Sequence, residues 1–117
     1  MTLTIEHHMD EEFAVFELDG SLTLGPSLVS LRNAAREMVC KPKISGIILD
    51  VARITSVDSS GLGELTIVYS SANRHNCPMR LVGVNPNLKK MLEMTHLDGV
   101  LTSSEDLAAA KKELKKR

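Results

Sequence analysis

At 117 residues, with 43% hydrophobic and 25% charged residues, the chain is long enough to bury a real core and too short for two domains of ordinary size. The formal net charge of −1, with lysine and arginine spread along the chain until the closing "KKELKKR", excludes the basic field of a nucleic-acid binder. No apolar run approaches the ~18 residues that span a bilayer, and "MTLTIEHHMD" has neither the basic region nor the apolar stretch of a targeting signal, so a cytoplasmic protein with no membrane partner is expected.

Residues 3–8 ("LTIEHH") and 13–18 ("FAVFEL") are rich in β-formers and flank the polar "DEE", which predicts two strands joined in a hairpin, with Asp19 and Gly20 ending the second. From Pro26 onward, Leu28, Leu31, Ala34 or Ala35, and Met38 recur at three- and four-residue steps, while Arg32, Arg36 and Glu37 fall off that stripe. This predicts an amphipathic helix over 26–39 with Pro26 in its first turn. After "KPK", the run "ISGIILDV" (44–51) is apolar almost throughout, as expected of a central strand covered on both faces. "ARITSV" reads as a loop, and Leu62, Leu65, Tyr69 and Ala72 then fall at helical spacing to about His75.

"MRLVGV" (79–84) predicts another strand, and Asn85-Pro86 an N-cap followed by a first-turn proline, with Leu88, Met91 and Leu92 buried and the helix ending near Thr95. "VLT" (100–102) reads as a last short strand. Ser103 is expected to cap a helix through "SSEDLAAAKKELKKR", acidic at its start and basic at its end, its lysines a solvated helix end. The order ββαβαβαβα predicts a single α/β domain over residues 1–117: a mixed, mostly parallel sheet of about four to five strands with helices packed against it. An aromatic content of 3%, with no Trp, leaves Leu, Val, Ile, Ala and Met to fill the core.

Most catalytic chemistry is excluded by spacing. Gly61-Leu62-Gly63 opens a dinucleotide fingerprint, but Thr66 occupies the third glycine position and "RLVGV" supplies no acid for a ribose hydroxyl. There is no phosphate-cradling GxxxxGK[ST] loop. His7, His8, His75 and His96 lack zinc-site spacing, and Cys40 and Cys77 lack a CxxC spacing, so neither metal nor cofactor is expected. "DSSGLG" lacks the leading glycine of a serine-hydrolase elbow. A non-enzymatic protein follows.

The stretch "SVDSSGLGEL" (56–65) stands out against this background, at a strand-to-helix junction. Asp58, Ser59 and Ser60 can each serve as N-cap. Gly61 and Gly63 are unfavourable in a first helical turn, and the space they leave would admit another protein's backbone. A serine here also suits phosphorylation, because a phosphate carrying roughly −1.5 to −2 charge is favoured at the positive end of a helix dipole. The helix would survive, and a partner docked on this face would meet new charge and bulk.

The hairpin, "GSLTLGPSL", "GIILDV", "ITSVDSSGLGEL" and "LVGVNPNLKKMLEMTHLDGVLTSSEDLAAA" resemble, in order and over nearly the whole chain, the STAS-domain anti-sigma-factor antagonists of bacteria. The resemblance implies a partner-switching regulator whose unphosphorylated form binds an anti-sigma factor that is also an ATP-dependent serine kinase, releasing a sigma factor. It implies phosphorylation of the serine directly after the aspartate, here Ser59, with Ser60 the second choice, and reset by a PP2C-like phosphatase. By the same carry-over Asp58, Ser59, Ser60, Gly61, Leu62 and Gly63 belong to the partner-binding surface. Thr23, in "GSLTLG", stands where many members carry an acidic residue of that surface, and His96 replaces their usual glycine in "MTHLDG". Two further readings compete: a non-switching STAS scaffold or sensor domain acting through protein contacts, and a nucleotide-binding protein using the glycine-rich stretch.

Overall fold

In a computed structural model that describes residues 3–115, β1 (Leu3–Asp10) and β2 (Phe13–Leu22) form the antiparallel hairpin that starts the sheet. A turn at Glu11, with φ 56°, joins them. α1 (Pro26–Val39) crosses to β3 (Gly46–Val57), and α2 (Ser59–Arg74) leads to β4 (Met79–Val82). α3 (Pro86–Met94), β5 (Ser103–Ser104) and α4 (Leu107–Lys115) complete the described chain. The sheet order is β1-β2-β3-β4-β5, antiparallel only between β1 and β2, which is the mixed, mostly parallel arrangement expected.

β1 runs two residues past its expected end to Asp10 and β4 stops two short at Val82, but three strands depart further from the sequence reading. β3 continues through "ARITSV", expected as a loop, to Val57. Its first half is buried on both faces, whereas beyond Val51 only Ile54 is buried and Arg53 and Thr55 are exposed, so the apolar run stops while the strand does not. β2 likewise passes Asp19 and Gly20, with register irregularities there and Gly20 at φ 116°, and reaches Leu22 opposite Val57. The last strand is not "VLT": Leu101 plugs the core from a turn closed by its N–H to the Leu97 carbonyl, and pairing with β4 begins at Ser103.

α1, α2 and α3 cover one face through Leu28, Leu31, Leu62, Leu65, Leu88 and Leu92. α4 covers part of the opposite face, burying Ala110 and Leu114 against Phe13, Val15, Ile48 and Val82. Its cap is Asp106, whose Oδ1 accepts from the Ala109 N–H at 2.8 Å, rather than Ser103. Nor are its lysines merely solvated. Lys111 Nζ bridges Asp10 (3.0 Å) and Glu11 (2.9 Å), and Lys115 Nζ reaches Glu11 at 2.7 Å. Lys116 and Arg117, expected in this helix, lie outside the described residues. Beyond the reach of α4 the same face carries Glu6, Glu17 and Asp50 in one cross-strand row.

α2 and α3 both end in the same hydrogen-bond pattern. The Cys77 N–H returns to the Ala72 carbonyl and the Leu97 N–H to the Leu92 carbonyl, with Asn76 (φ 56°) and His96 (φ 61°) in the left-handed region.

Candidate functional site

Parallel pairing of Leu22 with Val57 makes the chain leave β2 and β3 side by side, so Thr23 and Asp58 emerge at the same end of the sheet. The Asp58 N–H donates to the Leu22 carbonyl at 3.3 Å, and Ser56 Oγ donates to Ser21 Oγ at 3.0 Å. Extended backbone at Asp58 (φ −116°, ψ −178°) makes it the N-cap of α2.

Its carboxylate then does two things. Oδ1 accepts from the Gly61 N–H at 2.8 Å, capping the helix, and Oδ2 accepts from the Leu24 N–H at 3.0 Å, tying down the β2–α1 loop. The bond from Leu24 first, and that from Gly61 next, hold the carboxyl below the usual carboxylate range, because both favour the ionised form. Of the three residues that the sequence offered as caps, Asp58 is the one used, which leaves both serines free of that task.

Ser59, first residue of α2, is exposed, and Ser60 is half-buried. Gly61 is buried, and a Cβ there would run into the carbonyl of Leu22. The space it leaves is therefore taken by this chain's own β2. Leu62 is buried in the core, at 4% exposure, and holds α2 to the sheet. Gly63 is half-buried with open space where its Cβ would be, and Thr23 is half-buried beside the tethered loop. From Ser59 onward the glycine-rich stretch is helix, so it forms no loop that could wrap a phosphate.

Two features escaped the sequence reading. Leu24, between Thr23 and Gly25, is 79% exposed, and Val29 on α1 and Ile67 on α2 add exposed apolar surface. The signal was an apolar residue in the loop "TLGP" that fits no helix or strand stripe. Arg32, placed on the solvent side of α1 by its periodicity, instead makes a two-pronged ion pair with Glu64 of α2, its Nε and Nη2 at 2.9 and 2.8 Å from the two carboxylate oxygens. The Glu64 hydrogen bonds push the Arg32 guanidinium up, and they allow Glu64 to be buried at 3% exposure. This pair ties α1 to α2.

Among the described residues no cluster of three or more His, Cys, Asp or Glu could hold a metal ion, and no helix is long and apolar enough to cross a membrane. The site offers a rigid, partly apolar surface around one exposed hydroxyl at a helix N-terminus.

The family model of the STAS domain matches residues 4–110. Among solved structures, a candidate anti-sigma factor antagonist from Thermotoga maritima is similar at 17% identity, covering 95% of this chain and 94% of its own, with a TM-score of 0.84. SpoIIAA in its unphosphorylated form is similar at 17% identity, covering 97% and 98%, with a TM-score of 0.80. The Bacillus cell-fate determinant SpoIIAA in its phosphorylated form gives 18% identity, coverage of 93% and 98%, and a TM-score of 0.72. At these identities the likeness is one of fold.

Proposed function

The chain belongs to the STAS-domain family, and from that premise we propose that it is an anti-sigma-factor antagonist, switched by phosphorylation at Ser59. The observation that carries this reading is an exposed Ser59 hydroxyl at the start of α2, directly after an Asp58 that already caps the helix. Because the cap is separate from the acceptor, a phosphate can be added without removing the helix's own N-terminal hydrogen bond. The added charge is favoured by the helix dipole but crowds the Asp58 carboxylate, leaving a concentrated anionic spot on a surface that was partly apolar.

In the unphosphorylated state the surface docks an anti-sigma serine kinase. Leu24 supplies an apolar anchor, its backbone held by the Asp58 tether, with Thr23 next to it in the loop and Ser59, Ser60 and Gly63 at the start of α2. ATP and the catalytic groups belong to the partner, so this chain acts as substrate and ligand rather than enzyme. A PP2C-like phosphatase restores the binding form. Support comes from the family match and from a fold shared with SpoIIAA, a protein solved in both unphosphorylated and phosphorylated forms.

The test is intact-mass analysis after incubation with ATP and the candidate anti-sigma kinases of the same genome. One phosphate is expected on the wild type and on Ser60→Ala, and none on Ser59→Ala. Ser59→Asp and Leu24→Ala are each expected to weaken kinase binding about tenfold or more, with the melting temperature of Leu24→Ala unchanged. Binding without phosphate transfer from any candidate kinase would replace the switch with a scaffold role.

A further inference from the structure

At the opposite ends of α1 and α2 from the Asp58 site, two helix C-caps meet. Cys40 caps α1 and His75 caps α2, both are exposed, and Cys40 Sγ lies 3.5 Å from His75 Nε2. The imidazole is oriented by a third group: Nδ1 lies 2.8 Å from the Ser71 carbonyl oxygen. A carbonyl only accepts, so Nδ1 carries a proton and, in the neutral ring, Nε2 is the acceptor facing the thiol. A nucleophile, a base within reach of its proton and a group fixing the base's tautomer are the three parts of an activated thiol.

We propose that Cys40 is a thiol-modification site, with His75 as its base, that reacts with anionic low-molecular-weight disulfides to give a mixed disulfide. The Cys40 thiol proton passes to His75 Nε2 as the sulfur attacks one sulfur of the disulfide. A new S–S bond forms while the old one breaks, and the departing thiolate takes the proton from Nε2. One thiol and one disulfide thus become one mixed disulfide and one thiol, with no further oxidant, and excess thiol reverses the step.

The charge of the co-reactant follows from the flanking sequence. Exposed Arg36, Lys41 and Lys43 lie within four residues of Cys40, against the single acid Glu37, and Arg74 precedes His75. The carboxylates of a peptide-like disulfide such as oxidised glutathione suit that surrounding. The second cysteine is an internal control: Cys77 is buried, and burial pushes its thiol up to about 11, leaving little thiolate.

The probe is oxidised glutathione added to the full chain, followed by intact mass with peptide mapping over time, and cystamine as the cationic comparison. The expected result is one glutathionyl group on Cys40, none on Cys40→Ala, a rate at least about tenfold lower for His75→Gln, and slower reaction with cystamine than with oxidised glutathione. Equal rates for wild type and His75→Gln would show a thiol that is merely exposed and would overturn the assignment. So would modification at Cys77, or no adduct at all in protein whose circular dichroism is native. Faster reaction with cystamine would overturn the anionic class of co-reactant. Because both side chains are exposed at helix ends, neither substitution removes core packing, and the melting temperatures of the variants check this directly.

Discussion

Gly61 and Gly63 stand two residues apart in α2, and opposite stability effects are expected from the same substitution. Gly61→Ala forces a methyl group into the Leu22 carbonyl, backbone that cannot swing aside, and should destabilise the fold by roughly 1–3 kcal/mol. Gly63→Ala meets open space and should stabilise it by about 0.5–1 kcal/mol, through helix propensity alone. Urea unfolding of the two variants checks both signs. Asp58 offers a second expectation. Its folded-state carboxyl is held low by the Leu24 and Gly61 N–H groups, so its stabilisation is complete above the usual carboxylate range and disappears as pH falls through the lowered value. The Leu24 and Gly61 amide resonances should therefore keep their positions through the usual carboxylate range and shift together only at lower pH. Residue types named this motif, yet they could not separate three candidate caps, because Asp, Ser and Ser are near-equivalent until the backbone angles are known. The Leu24 tether was out of reach for another reason: its partner lies 34 positions away in sequence.

Helix ends show how an element can tolerate a poor local choice. At the end of α3, His96 takes the left-handed conformation at φ 61° that glycine adopts without cost, and the N–H groups of His96 and Leu97 close the turn on the Glu93 and Leu92 carbonyls. His96→Gly should keep these bonds and raise stability by about 1 kcal/mol, read from thermal unfolding. The elements themselves were legible wherever one rule governed the whole segment. α1 matched its stripe and proline start, α3 matched its proline start and buries Leu88 and Leu92 with Met91 half-buried, and the first half of β3 matched its apolar run. Legibility failed where the environment changes partway along an element. Beyond Val51 only Ile54 is buried, and six residues with neither an apolar run nor a strict alternation look like a loop. Arg32 failed similarly: it obeys the period of its own helix as an outward residue, and only the neighbouring α2 supplies the carboxylate that half-buries it.

Across the whole molecule the two sheet faces are held by different forces. The face under α1, α2 and α3 is a continuous apolar core, whereas α4 is seated by a small cluster around Phe13, Val15 and Leu114 and by ion pairs to the β1–β2 turn. Salt screens the second kind of contact far more than the first. Amide exchange at Ala110 should accordingly accelerate in 1 M salt (a Debye length of about 3 Å) relative to Leu65 in α2. The uncovered part of the α4 face has a consequence for the protein in a crowded solution. Glu6 lies opposite Glu17, and Glu17 opposite Asp50, so this part of the sheet exposes a ridge of carboxylates in place of the apolar alternation that lets sheets stack. Two molecules approaching by these faces would press carboxylate rows together, relieved in part by Arg53, which lines the same hollow. The bare sheet thereby guards itself against self-association, with repulsion where other folds spend a covering helix.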